Sequence, residues 1–507
     1  MQEYEVRRHL QSFCELKNIK TMEVLRTSRN DLCFVIDHFI YKSDKKVKVE
    51  EESRSGTKHY CHCDRLGDGC HGRAIITIFS DGEKKYKLTK THNGHAGRLM
   101  DTEATRFRTN LKASARLAPE KSSREIYDSV LASTLSQASE TFHDEIVASI
   151  PDFQCMKSSL QRVRMEGRPT LPSTIEEVQI VGEWGKTLRG DRFLLFETPG
   201  SEKIVAFATD DMLKKLCESS LVIMDGTFRV SPSLFSQLYT LHGQYRGGVF
   251  CMMYLLLPNK RRDTYEEVLR LIKEAAIRIG KIFNPSKFLL DFEEAMILAL
   301  QSQFPTSIVK GCFFHFTQAV WRNCQAIGLT TPYNTDHCVK RFVKGLMALP
   351  FVPMDQIQHA LDILRNDLPA IDSVHRPLLD RLEHYFHRTW INGPFSPIIW
   401  NCHQNFSIRT TNHVEGWHRK LNAKVKVAHP TLYQFIRHLQ EEESLVSNRM
   451  LELDNGHRLM PMVKKYRELN RRLVIVTTEF NNYERTLESF LSLVSNLLFD
   501  PYIVSRT

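Results

Sequence analysis

The clearest pattern along the chain is a series of short apolar runs between about 190 and 325, each closed by a polar or turn residue. DRFLLFET and KIVAFAT flank a turn at Pro199 and Gly200 and predict a strand pair, followed by a helix over DDMLKKLCES. SLVIMDGTF, LYTLHGQY and VFCMMYLLLP predict three neighbouring strands. DTYEEVLRLIKEAAIRIG then reads as a helix with Asp263 as N-cap and Gly280 near its close. KFLLDF and SIVKGC predict two further strands, each followed by a helix, EEAMILALQSQF and FFHFTQAVWRNC.

Three strands, a helix, a strand, a helix, a strand and a helix is the succession of a ribonuclease-H-like mixed sheet with helices on its faces, so the expected class is α/β. Outside this region the pattern changes. Residues 1 to about 100 alternate β-branched and aromatic residues with charges, as in IITIFSDGEKKYKLTKTH, and predict hairpins. From about 102 to 167 the spacing is helical, through KSSREIYDSVLAST and FHDEIVASIPDFQCMKSSLQRVRM, and GRPTLPSTIEEV reads as a linker. Residues 330 to 405 are helical and irregular. Helical spacing resumes at TTNHVEGWHRKLNAKV and persists, with breaks, to about 495.

Composition narrows the class. With 507 residues, 42% hydrophobic and 25% charged, the chain reads as a globular protein of several domains with a sizeable core. An excess of 69 Lys and Arg over 59 Asp and Glu permits a nucleic-acid partner without requiring one. The N-terminal MQEYEVRRHLQSF lacks the apolar core of a signal peptide, and VFCMMYLLLP is too short to span a bilayer, so no membrane partner is expected. Twelve scattered Cys then suggest reduced thiols or metal ligands in an intracellular setting.

The candidate chemistry is carboxylate chemistry. Asp225 follows LVIM and Asp291 follows KFLL, so each should sit at the end of a buried strand. Glu415 lies in TTNHVEGWHRKLN, a helix that Thr410 or Thr411 can cap. A single Asp near a strand end is usually a solvated cap. Three carboxylates in these slots can instead converge on one point and hold two Mg²⁺ or Mn²⁺ ions, which take oxygen ligands and promote phosphodiester cleavage.

The runs DGTF with Asp225, FLLDFEEA with Asp291, GCFFHFTQAVWRN and TTNHVEGWHRKLN resemble the transposases of Mutator-like DNA elements (MULEs) over about 180 to 450. LQRVRMEGRPTLP and the strand pair beginning DRFLLFET resemble animal members of that family. The resemblance implies cut-and-paste DNA transposition by an acidic triad, carried here by Asp225, Asp291 and Glu415. Leu290 stands where the family usually has Thr before the second Asp. The long interval before Glu415 resembles the family's helical insertion, matched by 330–405. The family's Cys-x-x-His is matched by Cys312 and His315. Two ligands do not make a zinc site, and His315 is expected near the scissile phosphate. Trp390 and Trp400 could stack on an unpaired base, although core packing is the plainer expectation for both.

The only dense Cys and His group is YCHCDRLGDGCHGRAIITIFSDGEKKYKLTKTHNGH. Cys63, Cys70, His92 and His95 can close a tetrahedral Zn²⁺ site, with Cys61, His62 and His71 as competing ligands. The order resembles FLYWCH-type zinc fingers, in which an aromatic strand precedes the first Cys and a His pair closes the site. Phe34, Phe39, Tyr41 and Tyr60 supply the aromatics, and two residues separate the His pair where the family usually has one. Lys42, Lys45, Lys46, Lys84, Lys85 and Lys87 could meet phosphates or simply be solvated. Helices at 121–134 and 141–166 could form a helix-turn-helix-like unit with Arg162, Arg164 and Arg168 on DNA phosphates, or a connector.

The expected organisation is therefore a FLYWCH-like zinc domain (1–100), a helical DNA-binding region (101–175) and the first part of the catalytic core (176–329). The helical insertion (330–405) and the Glu-bearing remainder with C-terminal helices (406–507) follow. The expected partner is double-stranded DNA, as terminal inverted repeats and as target. A homodimer or larger assembly and a nuclear location follow from the mechanism. The competing expectations are a domesticated DNA-binding regulator without catalysis, and a nuclease of the same fold without strand transfer.

Overall fold

Alternation of apolar and charged residues before residue 90 produces one antiparallel sheet. The computed structural model of the chain describes residues 22–498 except 27–30, 52–53, 119–120, 166–168, 367–373, 406–407 and 460–463. It has two compact units, Met1–Pro169 and Thr170–Thr507.

In the first unit the strands β1 (Met22–Arg26), β2 (Leu32–Ile36), β3 (Phe39–Glu51), β4 (Arg54–Cys63), β5 (Arg73–Phe79) and β6 (Lys84–Lys90) pair in sequence order. One face buries Phe34, Ile36, Tyr41, Cys61, Ala74 and Ile76. The helices Leu99–Leu117, Ser123–Ser136, His143–Ser149 and Phe153–Met165 follow. Ser122 and Glu125 form a capping box at the start of the second. Phe107, Leu111, Ile126, Tyr127 and Leu160 make the helical core. Arg106 ties the first helix to Glu23 of β1 at 2.7 Å, and Arg98 reaches Asp64 at 2.6 Å.

The second unit is built on a mixed sheet. Its strands are β7 (Leu194–Glu197), β8 (Val205–Phe207), β9 (Leu221–Thr227), β10 (Gln237–Tyr245), β11 (Gly248–Leu257), β12 (Lys287–Leu290) and β13 (Ile308–Gly311). They lie in the order β13-β12-β9-β10-β11-β8-β7. The β9, β10 and β11 strands are antiparallel neighbours, while β12 runs parallel to both β9 and β13. On one face Val222, Met224, Phe288 and Leu290 pack on the Arg262–Arg278 and Glu294–Gln303 helices. On the other, Leu238, Tyr254 and Leu256 meet the Asn412–Val425 and Leu432–Asp454 helices. Each fully buried Leu, Ile or Phe contributes roughly 1.5–3 kcal/mol of transfer free energy, so burial on both faces stabilises this central sheet.

A separate helical core joins residues 313–400 to the last helices of the chain. Phe316, Trp321, Phe342, Leu346, Trp390 and Trp400 pack with Leu473 of the Lys464–Asn481 helix and Phe490 and Val494 of the Leu487–Leu497 helix. The C-terminal helices thus complete the core of the 330–405 segment, a long-range packing that periodicity does not reveal. The Arg262–Arg278 helix also differs in its start. Its N-cap is Arg261, and Asn259 Oδ1 accepts from Arg261 N (2.9 Å) and Thr264 Oγ1 (2.7 Å), which leaves Asp263 inside the first turn. Among the described residues no helix is long and apolar enough to cross a membrane.

Candidate active site and metal centre

Strand register brings the two aspartates together. Ile223 of β9 pairs with Leu289 of the parallel β12. Two residues further on, Asp225 and Asp291 stand level on adjacent strands and on the same side of the pleat. That side carries Leu221, Ile223 and Leu289, and Val414 of the Asn412–Val425 helix packs on them. Anchoring Val414 there delivers Glu415, the next residue, to the strand ends. The charge of Asp225 is felt at both Asp291 and Glu415.

Asp225 is only 7% exposed. Its Oδ1 accepts from Gly226 N at 2.8 Å, and its Oδ2 faces His418 Nδ1 at 3.2 Å. Gly226 is required beside it, because a Cβ there would lie 2.7 Å from Gln237 Oε1 and 3.1 Å from the Tyr239 ring. Burial and the charges of Asp225 and Glu293 push the Asp291 carboxyl up to about 6, with His315 and Lys260 opposing. Burial also raises Glu415, and His315 opposes that rise. Asp291 Oδ1 and Glu415 Oε1 are buried without a hydrogen-bond partner among the described residues. A buried acceptor on Asp291 without a hydrogen bond, beside the repelling Asp225, suits a hard cation with oxygen ligands.

His315, in the Phe313–Ala326 helix, sets its Nε2 3.4 Å from Glu415 Oε1. Burial works against its charged form, but Cys312, Glu415 and Asp291 outweigh burial and push its pKa up to about 9. Cys312 is fully buried, and its sulfur accepts from Thr411 N (3.2 Å) and Thr411 Oγ1 (3.3 Å). Thr411 therefore occupies the N-cap position of the Glu415 helix, but its hydroxyl serves Cys312 and makes no side-chain cap. Two hollows reach the carboxylates. A groove of about 640 Å³ is lined by Arg229, Glu415, His418, Arg419 and Lys426, and a cleft of about 440 Å³ by Lys260, Asp291, Glu293, His315, Trp390 and Phe395.

Asp291 links this geometry to stability. Its folded pKa lies above the value of about 3.9 expected in an unfolded chain, so bound protons favour the fold. That contribution is complete below about pH 4 and is lost as the pH rises through about 6, costing on the order of 3 kcal/mol at neutral pH. Urea unfolding of metal-free protein from pH 4 to 7 should therefore show Asp291→Asn gaining on the wild type as the pH rises. Parallel profiles for the two would refute it.

The second constellation lies in the first unit. Ligand atoms of Cys63, Cys70, His92 and His95 all fall within 4.8 Å of one another. Cys63 Sγ is 3.4 Å from His95 Nε2, and Cys70 Sγ is 3.4 Å from His92 Nδ1. The opposite ring nitrogens are engaged: His92 Nε2 with Tyr41 Oη at 2.7 Å, His95 Nδ1 with Ala96 O at 2.9 Å. Such outer contacts fix which nitrogen faces a metal. Phe39 stacks on His92 with ring centroids 3.7 Å apart, and a Cβ at Gly72 would lie 2.7 Å from the His92 ring. The competing ligands are occupied elsewhere, with Cys61 in the apolar core, His62 paired with Asp44 at 2.5 Å, and His71 exposed. This cluster fits a structural zinc site.

The remaining candidates fall in varied places. Arg162 is exposed near the end of the Phe153–Met165 helix, Arg164 Nη1 donates to Ser123 Oγ at 3.3 Å, and Arg168 lies outside the described residues. Trp390 is 1% exposed in a π-helical turn, His387–Ile391, edge-on to Phe292 and Phe316. Trp400 is 2% exposed, and its indole N–H donates to Trp390 O at 2.8 Å. Pattern reading passed over His418, three residues after Glu415 and so on the same helical face. Glu293, a neighbouring carboxylate that the choice of Asp291 sets aside, accepts at Oε1 from Tyr265 Oη at 2.5 Å.

Residues 221–319 match the model of the MULE transposase domain. The matched stretch opens at β9, holds Asp225, Asp291, Cys312 and His315, and ends within the Phe313–Ala326 helix, so Glu415 lies beyond it. This match supports a MULE transposase and is consistent with nuclease and transposase chemistry. No curated protein matches the chain.

Proposed function

We propose that the chain is a DDE-type DNA transposase with a ribonuclease-H-like catalytic core, closed by Asp225, Asp291 and Glu415. One observation carries the reading: two strand-end aspartates level on parallel neighbours, joined by a helix-borne glutamate, within a chain bearing a MULE transposase domain. Strand order supports the core assignment, because β9 to β13 run as three antiparallel strands followed by two parallel ones.

Asp225, Asp291 and Glu415 would hold two Mg²⁺ or Mn²⁺ ions. When bound, such ions activate a water or 3′-hydroxyl and stabilise the leaving oxygen. The chain's own groups do the rest. His315, with its Nε2 3.4 Å from Glu415 Oε1, would donate to a non-bridging phosphate oxygen there. Arg229 and Arg419 line the Glu415 groove and draw in the DNA backbone. Half-buried Phe395, backed by the buried Trp390, gives the Asp291 cleft an aromatic edge for an unpaired base. In the first unit a FLYWCH-like zinc sheet, its exposed lysines and Arg162 would contact the terminal inverted repeats, in an animal-type element. Cleaving two ends together calls for a homodimer or larger assembly, and chromosomal DNA for a nuclear location.

The reading is tested by incubating purified protein with labelled DNA carrying the inverted repeats that flank the coding region, with Mn²⁺ and a target plasmid. Joined products are expected. Nicking without joining would instead make the protein a nuclease, and binding without cleavage a regulator. Arg229→Ala and Arg419→Ala should each weaken DNA binding several-fold and flatten the dependence of log K on log salt by about 1. Unchanged salt slopes would remove these residues from the DNA path.

A further inference from the structure

Behind Asp225 runs a line of buried polar groups that triad chemistry leaves without a task. His418 is 8% exposed, Thr240 0% and His242 2%. Buried polar groups persist where they are hydrogen-bonded, and these three bond in series. His242 Nε2 lies 3.0 Å from Thr240 Oγ1, Thr240 Oγ1 lies 3.3 Å from His418 Nε2, and His418 Nδ1 lies 3.2 Å from Asp225 Oδ2. The series crosses from β10 to the helix that bears Glu415.

We propose that His418, backed by Thr240 and His242, is a positioning residue that fixes the Asp225 carboxylate in one orientation before a cation arrives. The inference rests on the reading of Asp225 as a cation ligand. Donor counting gives the series a direction. Burial drives the His242 pKa far down, so the ring is neutral and has one N–H. That N–H donates to Thr240 Oγ1. The threonine's single hydroxyl hydrogen has two acceptors in reach, Asp225 O at 3.2 Å and His418 Nε2 at 3.3 Å. Because Asp225 Oδ2 can only accept, His418 Nδ1 carries the hydrogen that faces it, and in that tautomer the ring's Nε2 accepts from Thr240 Oγ1. With Oδ1 held by Gly226 N, both carboxylate oxygens are gripped from the protein side, and their remaining lone pairs are free for a cation.

A ligand oriented by partners of this kind binds its metal about 10–100-fold more tightly than one left to rotate. The test is Mn²⁺ titration of the full chain followed by electron paramagnetic resonance, with Asp225→Asn as reference. His418→Ala should weaken the Asp225-dependent Mn²⁺ affinity about 10–100-fold. His418→Asn, whose amide N–H can stand where Nδ1–H stood, should restore most of it, whereas His418→Gln, reaching toward the Nε2 position, should not. Thr240→Val keeps the shape and removes the hydroxyl, and should cost several-fold with an unchanged thermal transition. Wild-type affinity in His418→Ala, alongside loss in Asp225→Asn, would overturn the inference. Equal losses in the Ala and Asn variants would too, since packing alone would then explain them. If the wild type shows no Mn²⁺ binding that depends on Asp225, the cation-site reading falls first and takes the inference with it.

Discussion

Asp225→Asn, Asp291→Asn and Glu415→Gln are each expected to lower Mn²⁺-dependent cleavage of element ends by at least roughly 10³-fold. Each replaces a carboxylate, on the proposed reading a cation ligand, by a neutral amide of nearly the same shape, so the fold should survive. The losses should not add: if the three groups act on one reaction centre as proposed, a double variant should be little worse than either single one. Asp291→Asn has a second signature. It removes a buried carboxylate that Asp225 and Glu293 repel, so metal-free protein should become more stable as activity disappears. Gel analysis of cleaved and joined DNA, with thermal unfolding of the same preparations, checks both. Full cleavage in any one variant would strike that residue from the triad.

Loss of zinc is expected to have the largest effect on folding. Among the described residues the first unit's sheet buries two small clusters, Phe34, Ile36, Tyr41, Cys61, Ala74 and Ile76 in one and Leu25, Cys33, Val35 and Ile40 in the other, and small cores of this kind gain much from a metal staple. Backbone N–H groups of Asn93 and Gly72 draw the Cys70 thiol down to about 7 against the effect of burial, whereas burial pushes Cys63 up to about 11. A cation is what would hold both as thiolates. Chelation, or Cys63→Ser, should therefore abolish the cooperative unfolding of residues 1–169 and leave the transition of 170–507 in place. Metal analysis should find one zinc per chain. Cys61→Ala is the control: it should retain zinc and lose stability by only about 1 kcal/mol. A zinc-free wild type with two intact transitions would defeat the prediction.

Much of this was legible in the sequence because the decisive features are local. LVIM and KFLL are apolar runs that end in Asp, so strand ends and their carboxylates could be read together. The quartet Cys63, Cys70, His92 and His95 was legible as a group, but its choice over Cys61, His62 and His71 needed the sheet register, which sends Cys61 to the core and His62 to Asp44. His418 was hidden for a different reason. Its spacing from Glu415 put it on the right helical face, yet its partners Thr240 and His242 lie some 180 residues away in the chain. Asp263 misled because an Asp before a helical run resembles a cap, while Asn259 had already satisfied the turn. Trp390 combines two expectations: it is packed on Phe292 and Phe316, yet it lines the cleft beside Asp291.

The shared core of residues 313–400 and the last two helices also has a consequence in time. A ribosome making roughly 5–20 residues per second delivers Glu415 roughly 6–25 s after Asp291. The Leu487–Leu497 helix that closes the intervening core comes later still. On the proposed reading, a nascent chain carrying both aspartates would lack the third carboxylate and the helix that closes the intervening core, so cleavage would await the later segment.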